Sequence, residues 1–358
     1  MRKVGGWIWL LLAMSLMSSV IGGAEVPAMF VFGDSLVDPG NNNNLTTLAK
    51  ANYKPNGVDF PEGVTGRFCN GGTVADHLGF RMGLPLIPPY NNPNTVGSKI
   101  LQGVNYASAA SGILNETGTL FGQLFPLDEQ IQNFGKTLEE LNSLLGGDVG
   151  DYLKNSLYFV CVGNNDYLNN YLLPLSNKPK KYTPETFADL LLHHFNRQLK
   201  DLYNLGGRKF LITGLGPLGC IPEQIGNSGN TSSCVESTNH LASVFNSKLK
   251  AMLDQLNIDL DGSYFLYWDT YSSTLDVITN YSSYGFKYQH KACCGAGRAK
   301  GQIICLPVLP LKCHDRRDFV FWDPYHPTDA FNVIASRLAY QGNLQHSFPR
   351  NVQELIES

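Results

Sequence analysis

Short apolar runs alternate along the chain with longer stretches in which apolar residues recur every three or four positions. The short runs, at residues 29–32, 103–107, 156–162, 209–213 and 264–268, are rich in β-branched or aromatic residues and predict strands. The longer stretches, at 73–83, 127–145, 184–205, 238–256 and 328–340, predict helices. In the fourth of these, Leu241, Val244, Phe245 and Leu249 fall on one helical face. Alternation of this kind implies an α/β domain: a parallel sheet of about five strands, covered by helices on both faces. No shift in composition and no internal repeat divides residues 25–358, which read as one domain with long decorated loops.

One apolar run does not fit that alternation. The chain opens with MRK, continues apolar through residues 7–20 and ends in the small residues IGGA, the layout of a secretory leader over residues 1–24 cleaved near Ala24. A membrane anchor is the alternative, but the run is short for a span and no basic flank follows it. Residue types elsewhere agree with export. N-x-S/T sequons occur at Asn44, Asn115, Asn230 and Asn280, each in a loop-like stretch, and mark candidate glycosylation sites. All eight cysteines follow the leader, so disulfides are expected. Cys293, Cys294, Cys305 and Cys313 crowd one stretch and predict a stapled insertion, while Cys220 and Cys234 bracket another loop. With no C-x-x-C pair present, a zinc cluster is the weaker reading, and no metal is expected. Cys161 falls inside a predicted strand and reads as a buried thiol. The formal charge of −3, without a run of basic residues, argues against nucleic acid as a partner.

In an open parallel sheet, ligands bind beyond the carboxyl ends of the strands. The residues following the predicted strands are Gly33-Asp34-Ser35, Gly163-Asn164-Asn165-Asp166 and the glycine-rich GLGPLG at 214–219. The last has dinucleotide-site spacing, but Pro217 interrupts it and no helix is expected to start after it, so no cofactor is expected. What remains is nucleophilic chemistry. A serine needs a base, usually a histidine, and the base needs a group that holds its tautomer. His77, His193, His194 and His240 lie in predicted helices with no carboxylate cue. His290 and His314 lie in the cysteine-rich stretch, and His346 lies near the chain end. His326 differs, since FWDPYHP puts Asp323 three residues before it on a proline-stiffened turn. Such a turn also serves as a plain helix start. Ser35 follows a glycine at a strand end, although the G-x-S-x-G elbow is absent.

GDSLVDPGNNN, VNYASAASGIL, GNNDY and FWDPYHPT occur in that order, and with them the sequence resembles the GDSL esterases/lipases, or SGNH hydrolases, in their secreted plant-type branch. The resemblance covers nearly the whole chain after the leader. It implies a flavodoxin-like SGNH hydrolase fold, Ser35 as nucleophile, His326 as base and Asp323 as its orienting partner. It also implies an oxyanion hole built from the Ser35 N–H, a backbone N–H near Ala110 and the Asn165 side chain. Ala109-Ala110 stands where the family often has Gly-Gly, so a donor at Ala110 is expected only if its φ is negative. The run Asn41–Asn44 reads as a solvated loop. Phe121, Phe125 and Tyr167 are candidates for an acyl groove or for the core. The implied activity is hydrolysis of a small-molecule or polymer ester, with no stable membrane anchor. An acyltransferase using the same site, and a catalytically silent binding glycoprotein, are the competing readings.

Overall fold

The computed structural model describes residues 24–229, 233–307 and 312–357. The predicted leader, apart from Ala24, and the sequon at Asn230 lie outside the described residues.

Four strands, β1 (Met29–Gly33), β2 (Leu157–Cys161), β3 (Lys209–Thr213) and β4 (Tyr264–Trp268), lie side by side in chain order and run parallel. A short pair, β5 (Tyr288–Ala292) and β6 (Phe319–Phe321), forms a separate two-stranded sheet. The last strand, β7 (Ser347–Phe348), joins the free edge of β4 antiparallel, so the main sheet is mixed with the order β1-β2-β3-β4-β7.

Residues 103–107, predicted as a strand, form only isolated bridges. Backbone bonds run beside β1, from Met29 N–H to Gln102 O, Val31 N–H to Val104 O, Tyr106 N–H to Val31 O and Ser108 N–H to Gly33 O, although only Val31 and Asn105 meet there as a bridge. The Asn105 side chain donates to Val37 O and accepts from Ala107 N–H, which ties this segment to the Ser35 loop.

Six longer helices cover the sheet: α1 (Val74–Arg81), α2 (Leu127–Leu145), α3 (Pro184–Asn204), α4 (Glu236–Asp259), α5 (Thr270–Thr279) and α6 (Asp329–Gln341). Phe30 and Phe32 of β1 point into the core beneath α2, α3 and α4. Met29 and Val31 point the other way, toward α1, α5 and α6. Burial on both faces explains why the strands read as unbroken apolar runs. All four parallel strands end at one edge, where the site is built.

Candidate active site

Ser35 is set just past β1 by a turn that only glycine can begin. Gly33 has φ 153°, and a Cβ there would lie 2.1 Å from Cys161 O. Asp34 N–H then donates to Cys161 O, while Asp34 O accepts from the N–H groups of Val37 and Asp38, which closes the turn under Ser35. Gln130, reaching in from α2, clamps the same glycine. Its Oε1 accepts from Gly33 N–H at 2.8 Å and its Nε2 donates to Gly33 O at 2.9 Å.

His326 arrives from the loop between β6 and α6. One carboxylate oxygen of Asp323 accepts from the N–H groups of Tyr325 and His326, both at 2.8 Å, so the turn is held by the residue that also faces the ring. Nδ1 of His326 lies 2.8 Å from each Asp323 oxygen, and Nε2 lies 2.8 Å from Ser35 Oγ. A carboxylate can only accept, so Nδ1 carries the proton and Nε2 is left to accept from the serine. Both members of the Asp–His pair are buried, and the Phe68 ring lies against the imidazole at 5.0 Å between centroids.

The structure also gathers the three predicted oxyanion donors around one cleft with Ser35. Among the described residues, the N–H groups of Ser35 and Ala110 have no hydrogen-bond partner. Asn165 sits at the end of β2 and donates to Ser111 O at 3.0 Å, which leaves its second amide hydrogen unused. Ala110 does not meet the condition set for it, yet its N–H is left free at the cleft, so a donor there does not need the negative φ that was expected. Its φ is +68°, a left-handed conformation that costs a non-glycine residue about 1–2 kcal/mol. The neighbouring backbone imposes it: Ala109 N–H is fixed on Asp38 Oδ2, and Asp166 holds the N–H groups of Ile113 and Leu114.

Two sets of comparisons bear on this geometry. A family model described as GDSL-like Lipase/Acylhydrolase matches residues 29–338. The chain belongs to this family. Curated relatives from Arabidopsis thaliana agree. GDSL esterase/lipase At1g71691 is 47% identical over 336 residues, covering 93% of this chain and 86% of the relative. GDSL esterase/lipase 7 is 46% identical over 337 residues, covering 92% of each. Ester hydrolysis is the activity this family membership supports.

Several features of this GDSL-family site are not apparent from its sequence. The run Asn41–Asn44 is a brace, with Asn41 and Asn42 fully buried. Asn41 Nδ2 donates to the carbonyls of Asn105 and Ala107, and Asn42 Nδ2 donates to those of Ala49 and Ala109. The run therefore ties the Ser35 loop to the segment carrying Ala110. His77 has a carboxylate partner after all, Asp329 at 2.9 Å, which is 252 positions away. Past GLGPLG a helix does form, Pro222–Ser228, because Pro222 pre-sets its first turn. The loop amides nevertheless face protein: Leu215 N–H donates to Asn246 and Gly219 N–H to Asn239.

Of the three aromatic candidates, Phe121 lines the cleft and Tyr167 is core, packed on Phe187 and Phe245. Phe125 contributes its backbone, donating to Ser108 Oγ and accepting from Gln130.

The cysteines pair as Cys220–Cys234, Cys293–Cys313 and Cys294–Cys305, while Cys69 and Cys161 are free and buried. Asn44, Asn115 and Asn280 are exposed. Among the described residues, no His, Cys, Asp and Glu side chains converge so as to hold a metal, and no helix is long and apolar enough to cross a membrane.

Three buried carboxyls frame the site. Burial raises Asp34 to about 7 and Asp38 and Asp166 each to about 6, with accepted N–H hydrogen bonds working in the opposite direction. Asp34 keeps one oxygen without a partner, which suits a protonated acid better than a carboxylate.

Proposed function

We propose that the protein is a secreted serine esterase that cleaves carboxylic esters through an acyl-enzyme. His326 Nε2 takes the proton of Ser35 Oγ as the oxygen attacks the ester carbonyl, and Asp323 stabilises the resulting imidazolium. The carbonyl oxygen, now negative, is met by the N–H groups of Ser35 and Ala110 and by the Asn165 amide. Collapse of the tetrahedral intermediate expels the alcohol, which takes the proton from His326. Water then repeats the sequence on the acyl-serine: His326 removes its proton, the carboxylate product leaves and Ser35 regains its hydrogen.

The observation that carries this reading is the 2.8 Å contact between His326 Nε2 and Ser35 Oγ, in a chain that belongs to an ester-hydrolysing family. The leader-like start, the exposed sequon asparagines and the disulfides support secretion.

A fluorophosphonate probe tests the assignment. Wild type is expected to be labelled on Ser35, and Ser35→Ala is expected to lose the label. Labelling that survives in the variant would overturn it. Separating acid from transferred ester among the products distinguishes hydrolysis from acyl transfer.

A further inference from the structure

The chain beyond β2 carries two pairs of amide and acid side chains with different tasks. Asn164–Asp166 make one helical turn and pass into a wider one, Tyr167–Tyr171, in which Leu172 N–H reaches back to Tyr167 O at 2.8 Å. Residues four apart in such a run are neighbours, so Asp166 stands beside Asn170 and Asn165 beside Asn169. The first pair is turned toward the loop that follows Ala110: Thr117 Oγ1 donates to Asp166 Oδ1 at 2.7 Å and accepts from Asn170 Nδ2 at 3.2 Å. The second pair lines the cleft. There Asn169 Nδ2 donates to Asn165 Oδ1 at 2.7 Å. Asn169 leaves helical geometry at this point, with φ −110° and ψ 15°. Turns widened by one residue recur at functional sites, where they re-aim a side chain.

The last torsion of an asparagine is broad and roughly two-fold, so its amide has two orientations half a turn apart. One presents hydrogen to the cleft. The other presents a carbonyl oxygen, which would repel the negative oxygen formed when Ser35 attacks. Ser111 O can only accept, and by taking an Asn165 hydrogen at 3.0 Å it selects the first orientation. That contact holds one end of the amide. Asn169 holds the other, so the plane is pinned at both ends. The bond also acts through the amide electrons: a donor on the carbonyl makes the N–H across from it a better donor, by roughly 10–30% per bond.

Resting on the esterase reading, we propose that Asn169 is a positioning residue for the oxyanion hole, holding the Asn165 amide with its free hydrogen toward the ester carbonyl. Two consequences separate this role from packing. Loss of Asn169 weakens a bond made to the transition state, so it lowers kcat and leaves KM near its wild-type value. Its effect also passes wholly through Asn165. Once Asn165 is gone, Asn169 has nothing left to hold.

The test is steady-state kinetics on p-nitrophenyl acetate for Asn169→Leu, Asn169→Ala and Asn169→Asp. The first two are measured again in an Asn165→Ala background, and melting temperature checks that each variant folds. Asn169→Leu and Asn169→Ala are expected to lower kcat about two- to tenfold, the rate equivalent of one hydrogen bond, with KM within about twofold of wild type. Asn169→Asp, matched in shape, is expected to cost more, because a carboxylate cannot donate to Asn165 Oδ1 and draws the Asn165 hydrogens toward itself. In the Asn165→Ala background, Asn169→Leu and Asn169→Ala are expected to change kcat by less than about twofold.

Equal losses with and without Asn165 mean that Asn169 acts independently of it and overturn the proposal. A raised KM at unchanged kcat, the mark of a direct substrate contact, overturns it too, as does full turnover in all three variants. If Asn165→Ala alone keeps wild-type kcat while Ser35 still takes a fluorophosphonate, the proposal falls and the esterase reading stands. Wild type that labels no serine and cleaves no ester overturns both together.

Discussion

Asn165 commits one amide hydrogen to Ser111 O, accepts from Asn169 Nδ2 at 2.7 Å and has its other hydrogen free, so its loss removes a donor together with two supporting hydrogen bonds. Asn165→Ala should lower kcat by about 10²- to 10³-fold with a small change in KM, read from steady-state kinetics on one ester. A second residue-level expectation concerns Asp34. Its folded value of about 7 lies above the ordinary carboxyl value of 3.8, so the native state holds a proton that the unfolded chain has released. The stability this contributes is complete below about pH 4 and is lost as pH rises toward 7. Asp34→Asn should therefore flatten that slope and raise stability at pH 8 by up to about 4 kcal/mol, measured by denaturant titration across pH. At this scale the sequence was most readable where partners are close in the chain. Asp323 and His326 are three positions apart, and their pairing on the turn could be anticipated. The His77–Asp329 contact spans 252 positions and leaves no local trace.

Elements were legible wherever burial dictated their periodicity. The four parallel strands are apolar on both faces and were anticipated to within a residue or two, as was the stretch that became α2. Helix α5 and the two-residue β7 were not anticipated. The first begins in TYSS, which resembles strand or turn, and the second is too short to have a period. The asparagine run was misread for a related reason. Amide side chains are the same residue types whether they bond water or distant backbone, and only the fold decides which. Gln130 is a like case, being a polar residue on the buried face of α2 whose purpose is to hold Gly33. Gln130→Leu leaves the Gly33 N–H and C=O without this partner in a dry environment. It should cost about 2–3 kcal/mol in urea melts and reduce turnover more than it raises KM, because Ser35 loses its support from below.

Across the whole molecule, the cysteine-rich stretch is part of the cleft wall. Ile304 and Cys305 line the cleft, and Tyr53 Oη donates to Cys305 O at 2.9 Å. Replacing Cys294 and Cys305 by serine opens a loop of 11 residues, which should lower stability by about 3 kcal/mol. If the wall loosens with it, KM for bulky esters should rise more than KM for acetate, and the comparison of the two is the measurement.

The same global wiring governs when the chain becomes able to react. The serine and the imidazole that bonds it stand 291 positions apart in the chain. A polypeptide still on the ribosome already carries its hydroxyl group but has no base to draw the proton away. On the proposed triad it remains chemically idle until residue 326 has been added. A chain cut short between residues 35 and 326 keeps its hydroxyl and lacks the base that would use it, so such fragments should take no fluorophosphonate label.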